Sequence, residues 1–368
     1  MAPLEPWEKV LVDSETFPTT DHGQIECTKC HGGQQNPAKD TAHSDMNARP
    51  SAGEATVCAE CHESQVELQS VSLHATQAGY WTILEARGAS ADHPEMQEMF
   101  GNHCASCHAS CGDCHVSQPS SVGGGLLDGH NFAGTPPMSR TCTACHGSRV
   151  GNEFLGKNEG EDLKPDVHFR QERMVCTDCH TASEMHGNVD SGMEMPIAHR
   201  YEGPEEPKCT DCHMSIGDSN MYHEAHGDTL SCQVCHSVAY SSCDSCHVAL
   251  SETTGRPFFE TSDHYLTFFI GRNPLQSEER PYDYVPVRHV PVDPDSFAFY
   301  GDNLMPEFDA QSTWRYATPH NIQLETPQTE TCNSCHGNAD LFLTADKVAP
   351  EEMNANQPVI VDAVPEEQ

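Results

Sequence analysis

Apolar and polar residues alternate with little regularity along this chain, and the pattern predicts few elements. Residues 62 to about 78 carry helical spacing. Ser90, Asp92 and Pro94 form a start signal for a second helix, running through Glu95 to Phe100 toward Cys104. No two-residue alternation persists, so strands are expected only locally. Residues 121–125 (Ser-Val-Gly-Gly-Gly) and 135–137 (Thr-Pro-Pro) read as turns, and with 26 Gly and 25 Pro most of the remainder is expected to be irregular coil. The longest compact apolar run, residues 265–270, is far short of the ~20 residues of a membrane-spanning helix.

Two regions stand apart. Residues 248–331 hold thirteen of the 25 aromatic residues, which predicts a small packed lobe; a partner interface and a catalytic pocket are the alternatives. Beyond Lys347 the tail carries Glu351, Glu352, Asp362, Glu366 and Glu367 and no basic residue. It reads as a solvated tail or a strap, with Val359, Ile360 and Val361 as a short edge contact.

Composition changes this picture. Only 36% of the 368 residues are hydrophobic, 20 of those are cysteine, and the formal charge is −37, a combination typical of chains that stay disordered. Nucleic-acid phosphates would repel so acidic a chain, and no nucleic-acid partner is expected. The stretch from Met1 to Lys9 lacks the basic and apolar segments of an export signal, as expected of a chain numbered from near its mature end. A reducing cytosol gives 20 thiols no disulfide role. Order therefore has to come from something other than an apolar core.

All 20 cysteines fall into Cys-x-x-Cys pairs, each followed at once by histidine. In chain order the ten motifs are Cys27, Cys30 and His31; Cys58, Cys61 and His62; Cys104, Cys107 and His108; Cys111, Cys114 and His115; Cys142, Cys145 and His146; Cys176, Cys179 and His180; Cys209, Cys212 and His213; Cys232, Cys235 and His236; Cys243, Cys246 and His247; and Cys332, Cys335 and His336. Positions i, i+3 and i+4 of one helical turn share a face, so two thiols can reach a macrocycle edge while the imidazole reaches its metal. At a histidine share of about 6.5%, ten histidines in ten such places arise by chance about once in 10¹². Zinc ribbons and a disulfide framework are poor readings of such a pattern.

On these motifs the chain resembles the multihaem c-type cytochromes over residues 27–247 and 332–336. The resemblance implies ten covalent c-type haems, with the twenty cysteines as thioether donors and the ten motif histidines as proximal iron ligands. It also implies attachment after export, an extracellular or periplasmic location, and low-potential electron transfer. The fold it implies is that of a multihaem cytochrome: mostly irregular coil with short α-helices wrapped around a chain of ten haems, and little β. Fourteen histidines outside the motifs are the candidate distal ligands: His22, His43, His74, His93, His103, His130, His168, His186, His199, His223, His226, His264, His289 and His320. They outnumber ten irons, so every haem can be bis-histidine, but spacing does not assign one to another. The methionines show no repeating offset from the motifs and are assigned to packing.

Motif spacing divides the chain into residues 1–130 with four motifs, 131–250 with five, a motif-free lobe at 251–331, and 332–368 with the tenth motif and the tail. Seven residues span at most ~25 Å, so the third and fourth motifs are neighbours, and the eighth and ninth are close for the same reason. The expected function is extracytoplasmic electron transfer, as a periplasmic carrier or as the subunit of an extracellular cytochrome filament. Its partners would be redox proteins, extracellular acceptors or further copies of itself. The long gap before the tenth motif departs from the even spacing of the periplasmic conduit type. The alternative is a multihaem reductase of nitrogen or sulfur oxyanions, which needs one iron with an open position.

Overall fold

A computed structural model describes residues 4–52, 57–107, 109–158, 163–186, 206–216, 220–290 and 293–368, with backbone alone at 106, 244–246, 261 and 262. His108 and His199 lie outside the described residues. The chain forms two compact units, each assembled from three segments. The first contains Met1–Gly79, Cys107–Ser148 and Val175–Glu206; the second contains Tyr80–Ser106, Arg149–Met174 and Pro207–Gln368.

Regular structure in the first unit is short. Helical turns at Cys27–His31, Val57–Glu60, Cys111–His115, Cys142–His146 and Cys176–Cys179 carry motif residues. The helical stretch expected over 62–78 forms as α1 (Glu63–Ser70) and α2 (Leu73–Thr76). It breaks where the Ser72 hydroxyl accepts from the Ala75 amide at 3.4 Å and caps a new helix. Gly123, Gly124 and Gly125 have φ of 108°, 64° and 93°, the left-handed backbone that closes the turn predicted there.

In the second unit, α3 (Pro94–His103) extends the predicted helix up to Cys104, with proline at its start. Met96, Met99 and Phe100, spaced i, i+3 and i+4, form its buried stripe and pack with Ala89, Phe297, Leu304 and Met305. α4 (Met221–His226) starts at Asn220, whose side chain accepts from the Tyr222 and His223 amides, both at 3.0 Å.

The aromatic lobe holds more strand than the local pattern predicts. β1 (Tyr240–Leu250) and β2 (Pro257–Thr267) form an antiparallel hairpin that pairs Tyr240 with Thr267 and Leu250 with Pro257. β3 (Phe269–Arg272), β4 (Tyr284–His289) and β5 (Trp314–Tyr316) form a second antiparallel sheet with β4 in the centre. The ninth motif is the exception to the helical-turn expectation: Cys243 and His247 sit in the extended backbone of β1, opposite His264 and Glu260. A ladder along two eleven-residue strands pairs the backbone groups that face across the hairpin, and here it overrides the local turn preference.

Tyr240 is fully buried between the sheets and donates to the Val287 carbonyl at 2.6 Å. The Arg288 guanidinium lies 5.1 Å from its ring centre and pairs with the buried Glu153 carboxylate, which also accepts from the His320 amide at 3.0 Å. Replacing Glu153 by Gln keeps the shape but leaves a buried guanidinium without a counter-charge. The expected loss is about 1–3 kcal/mol of stability, read as a lowered Tm of the lobe.

The acidic tail is a strap. Val359, Ile360 and Val361 are buried; the Val359 carbonyl accepts from the Arg272 amide at 2.8 Å, and the Val361 amide donates to Leu343 at 2.9 Å. Gly271 allows this close approach, because a Cβ there would stand 2.7 Å from Val287 and 2.9 Å from Val359 side-chain carbons. Gly271→Ala is expected to cost about 1–3 kcal/mol by overpacking, with faster proteolysis of the tail as the readout.

Candidate functional site: paired histidines

The motif histidines are the place to look for chemistry, and the structure sets seven of them opposite a histidine from outside the motifs. In the first unit His31 faces His130 with ring centres 5.8 Å apart, His62 faces His22 at 6.2 Å, His115 faces His186 at 6.1 Å and His146 faces His74 at 6.3 Å. In the second unit His213 faces His168 at 6.0 Å, His236 faces His223 at 6.2 Å and His336 faces His226 at 6.1 Å. Each pair joins one motif histidine to one candidate distal ligand. The interplanar angles run from 13° to 89°, so ring stacking is not what sets the common distance.

The distance is one that a metal held between the two rings would give: a metal–nitrogen bond of ~2.0 Å plus about 1.1 Å from nitrogen to ring centre, taken on both sides, comes to about 6.2 Å. The hydrogen bonds agree. Nδ1 donates to a backbone carbonyl from His31 (Asn47, 2.8 Å), His115 (Ala133, 2.6 Å), His236 (Gln323, 3.1 Å) and His336 (Glu366, 2.9 Å). His226 does the same to Tyr222 at 3.0 Å, while His168 turns Nδ1 to the Asp166 carboxylate at 3.1 Å. Committing Nδ1–H in this way fixes the tautomer and leaves Nε2 with the lone pair that a metal would take. Burial pushes the pKa of His74, His130 and His186 down, toward the neutral imidazole that a metal requires.

Local sequence explains how these rings are held. Asn220 fixes the first turn of α4, so that one short helix presents both His223 and His226, each to a different motif histidine. Phe132 stacks on His22 at 3.9 Å and stands 5.6 Å from His130, wedging two pairs. Ser110 and Asp113 bond reciprocally around the fourth motif, with the Ser110 amide 2.9 Å from the Asp113 carboxylate.

The other candidates sit differently. His43 is exposed, with Nδ1 2.7 Å from the Lys39 carbonyl. His93 lies at the start of α3 beside Glu95 at 3.1 Å, and His103 contacts the Tyr300 hydroxyl at 2.8 Å. His264 lies on β2 opposite Cys243. His289 stacks on Trp314 at 4.7 Å and reaches Glu352 at 3.0 Å, and His320 binds the Thr318 carbonyl at 2.8 Å. Among the motif histidines, His180 turns Nδ1 to Glu184 at 2.9 Å, and His247 lies 3.2 Å from Glu260.

None of the nineteen cysteines with described side chains forms a disulfide. Among the described residues no three or more His, Cys, Asp or Glu side chains converge as a bare metal ion would need. Donors in opposed pairs, each beside two thiols, suit a planar macrocycle that supplies the remaining four ligands.

Among the described residues no helix is long and apolar enough to cross a membrane. No family model, curated protein or solved structure matches this chain.

Proposed function

We propose that the chain binds ten c-type haems covalently through its Cys-x-x-Cys-His motifs and transfers electrons outside the cytoplasm. The observation that carries this reading is the set of seven opposed histidine pairs at 5.8–6.3 Å. Bound there, each haem supplies a one-electron ferric–ferrous couple. The residues would do the rest: paired cysteines would anchor the group, Nδ1 bonds aim the rings, and at the seven paired sites two imidazoles would hold the iron. Two imidazoles at one iron favour electron transfer over reduction of an oxyanion, which needs an open position.

The test uses protein made in a host that attaches c-type haem. The expected result is ten haems per chain that survive denaturing electrophoresis and a low-spin ferric spectrum unchanged by nitrite or sulfite. Zinc in place of haem sinks the proposal, and a high-spin signal that shifts with nitrite or sulfite moves it to the reductase reading. Imaging of the native protein separates a single-particle carrier from a homopolymer.

A further inference from the structure

In the second unit, residues 321–323 lie between two of the opposed histidine pairs and hold one ring of each. The Gln323 carbonyl accepts from His236 Nδ1 at 3.1 Å, and the Ile322 amide donates at 2.7 Å to the Asp166 carboxylate, which takes His168 Nδ1 at 3.1 Å. Both flanks are bonded further. On the His168 side the Ile322 carbonyl accepts from the Val167 amide at 2.9 Å, and the Asn321 and Gln323 side chains donate to the Lys164 and Pro165 carbonyls, both at 2.9 Å. On the His236 side the Gln323 amide donates to the His236 carbonyl at 2.8 Å, and the Asn321 carbonyl accepts from the Val238 amide at 3.2 Å. Asp166, Asn321 and Gln323 are buried, where an unpaired polar group is costly, so this stretch has little freedom to shift one ring without the other.

The same stretch runs on to the tenth motif. Thr326 donates to the Cys235 carbonyl at 2.5 Å, and the buried Gln328 amide group donates to the Val234 and Ser237 carbonyls at 3.1 and 2.8 Å. Cys332 follows four residues later. α4 ties the same two sites independently: His223 and His226 stand three residues apart on one helix, which sets their Cβ atoms about 5–6 Å apart, and they face His236 and His336. The eighth site therefore adjoins the seventh through one set of contacts and the tenth through two.

We propose that the seventh, eighth and tenth sites form a row with the eighth in the middle, and that residues 321–328 are the spine that fixes both spacings. An electron passing between the seventh and tenth sites goes by way of the eighth, each hop oxidising one iron as it reduces the next. This rests on the haem reading above and adds to it the order of the path within the second unit.

The test is a density map of the haem-loaded protein that shows iron positions. Of the three separations among these irons, that between the seventh and tenth is expected to be the longest. Any other ranking overturns the row, whereas protein without covalent haem overturns the haem reading itself. A variant tests the spine, with each low-spin ferric signal assigned by deleting one cysteine pair at a time. Asn321→Leu with Gln323→Leu removes the side-chain bonds to Lys164 and Pro165, and is expected to shift the signals of the seventh and eighth sites together while that of the tenth stays in place. No shift, a shift confined to one of the two, or one shared equally by every site of the unit contradicts the spine.

Discussion

Made in cells that lack haem attachment, this chain is expected to give the far-UV spectrum of a coil and no cooperative melt across most of its length. Composition is the reason. Only 36% of the residues are hydrophobic and 20 of those are cysteine, so at about 25 cal/mol per Å² of apolar area the side chains alone bury too little to offset conformational entropy. A charge of −37 adds self-repulsion. Hydrogen exchange should find residual protection only in the aromatic lobe, where Tyr240, Ile270, Val285, Val287, Leu343 and Val359 make a core of side chains. A haem-free chain that melts cooperatively as a whole would contradict this expectation and the idea of a cofactor core.

Ala225→Pro is the point substitution expected to reach furthest. Residue 225 lies inside α4, where proline removes an amide donor and clashes with the preceding turn at about 3 kcal/mol. The helix is only six residues long and holds His223 and His226 opposite His236 and His336. Both pairs should fail together, so that in the haem-loaded protein two low-spin ferric signals change from one substitution outside every motif. Ala225→Ser is the control and should leave both intact. Loss of a single signal would mean that the two histidines are positioned independently.

The parts of this protein visible in its sequence are those whose geometry is local. A motif is five residues long, and α3 announces itself through Pro94 and the Met96, Met99, Phe100 stripe. The histidine pairs are not visible, because His31 meets His130 and His146 meets His74 across long separations in sequence with no period to mark the return. Strand β4 is hidden by Pro286, which lacks a ladder donor and normally argues against a central strand. Strand β1 is hidden by the motif that it contains. The edge contact expected at Val359 to Val361 is present, but its depth depends on Gly271, which carries no signal of its own.

The partners of Nδ1 have a consequence of another kind. Most of the paired rings with a described bond there donate to a neutral carbonyl, but His168 donates to Asp166, a nearly fully buried carboxylate held by the Ile322 amide at 2.7 Å. A carboxylate draws the shared proton and makes the imidazole a stronger donor to its metal, which favours the ferric state. The site between His168 and His213 should then be the last in its unit to accept an electron, and Asp166→Asn should raise its midpoint in a redox titration. With haem bound, sites bonded to carbonyls would become the resting places of charge, so the proposed electron path would have an uneven energetic floor.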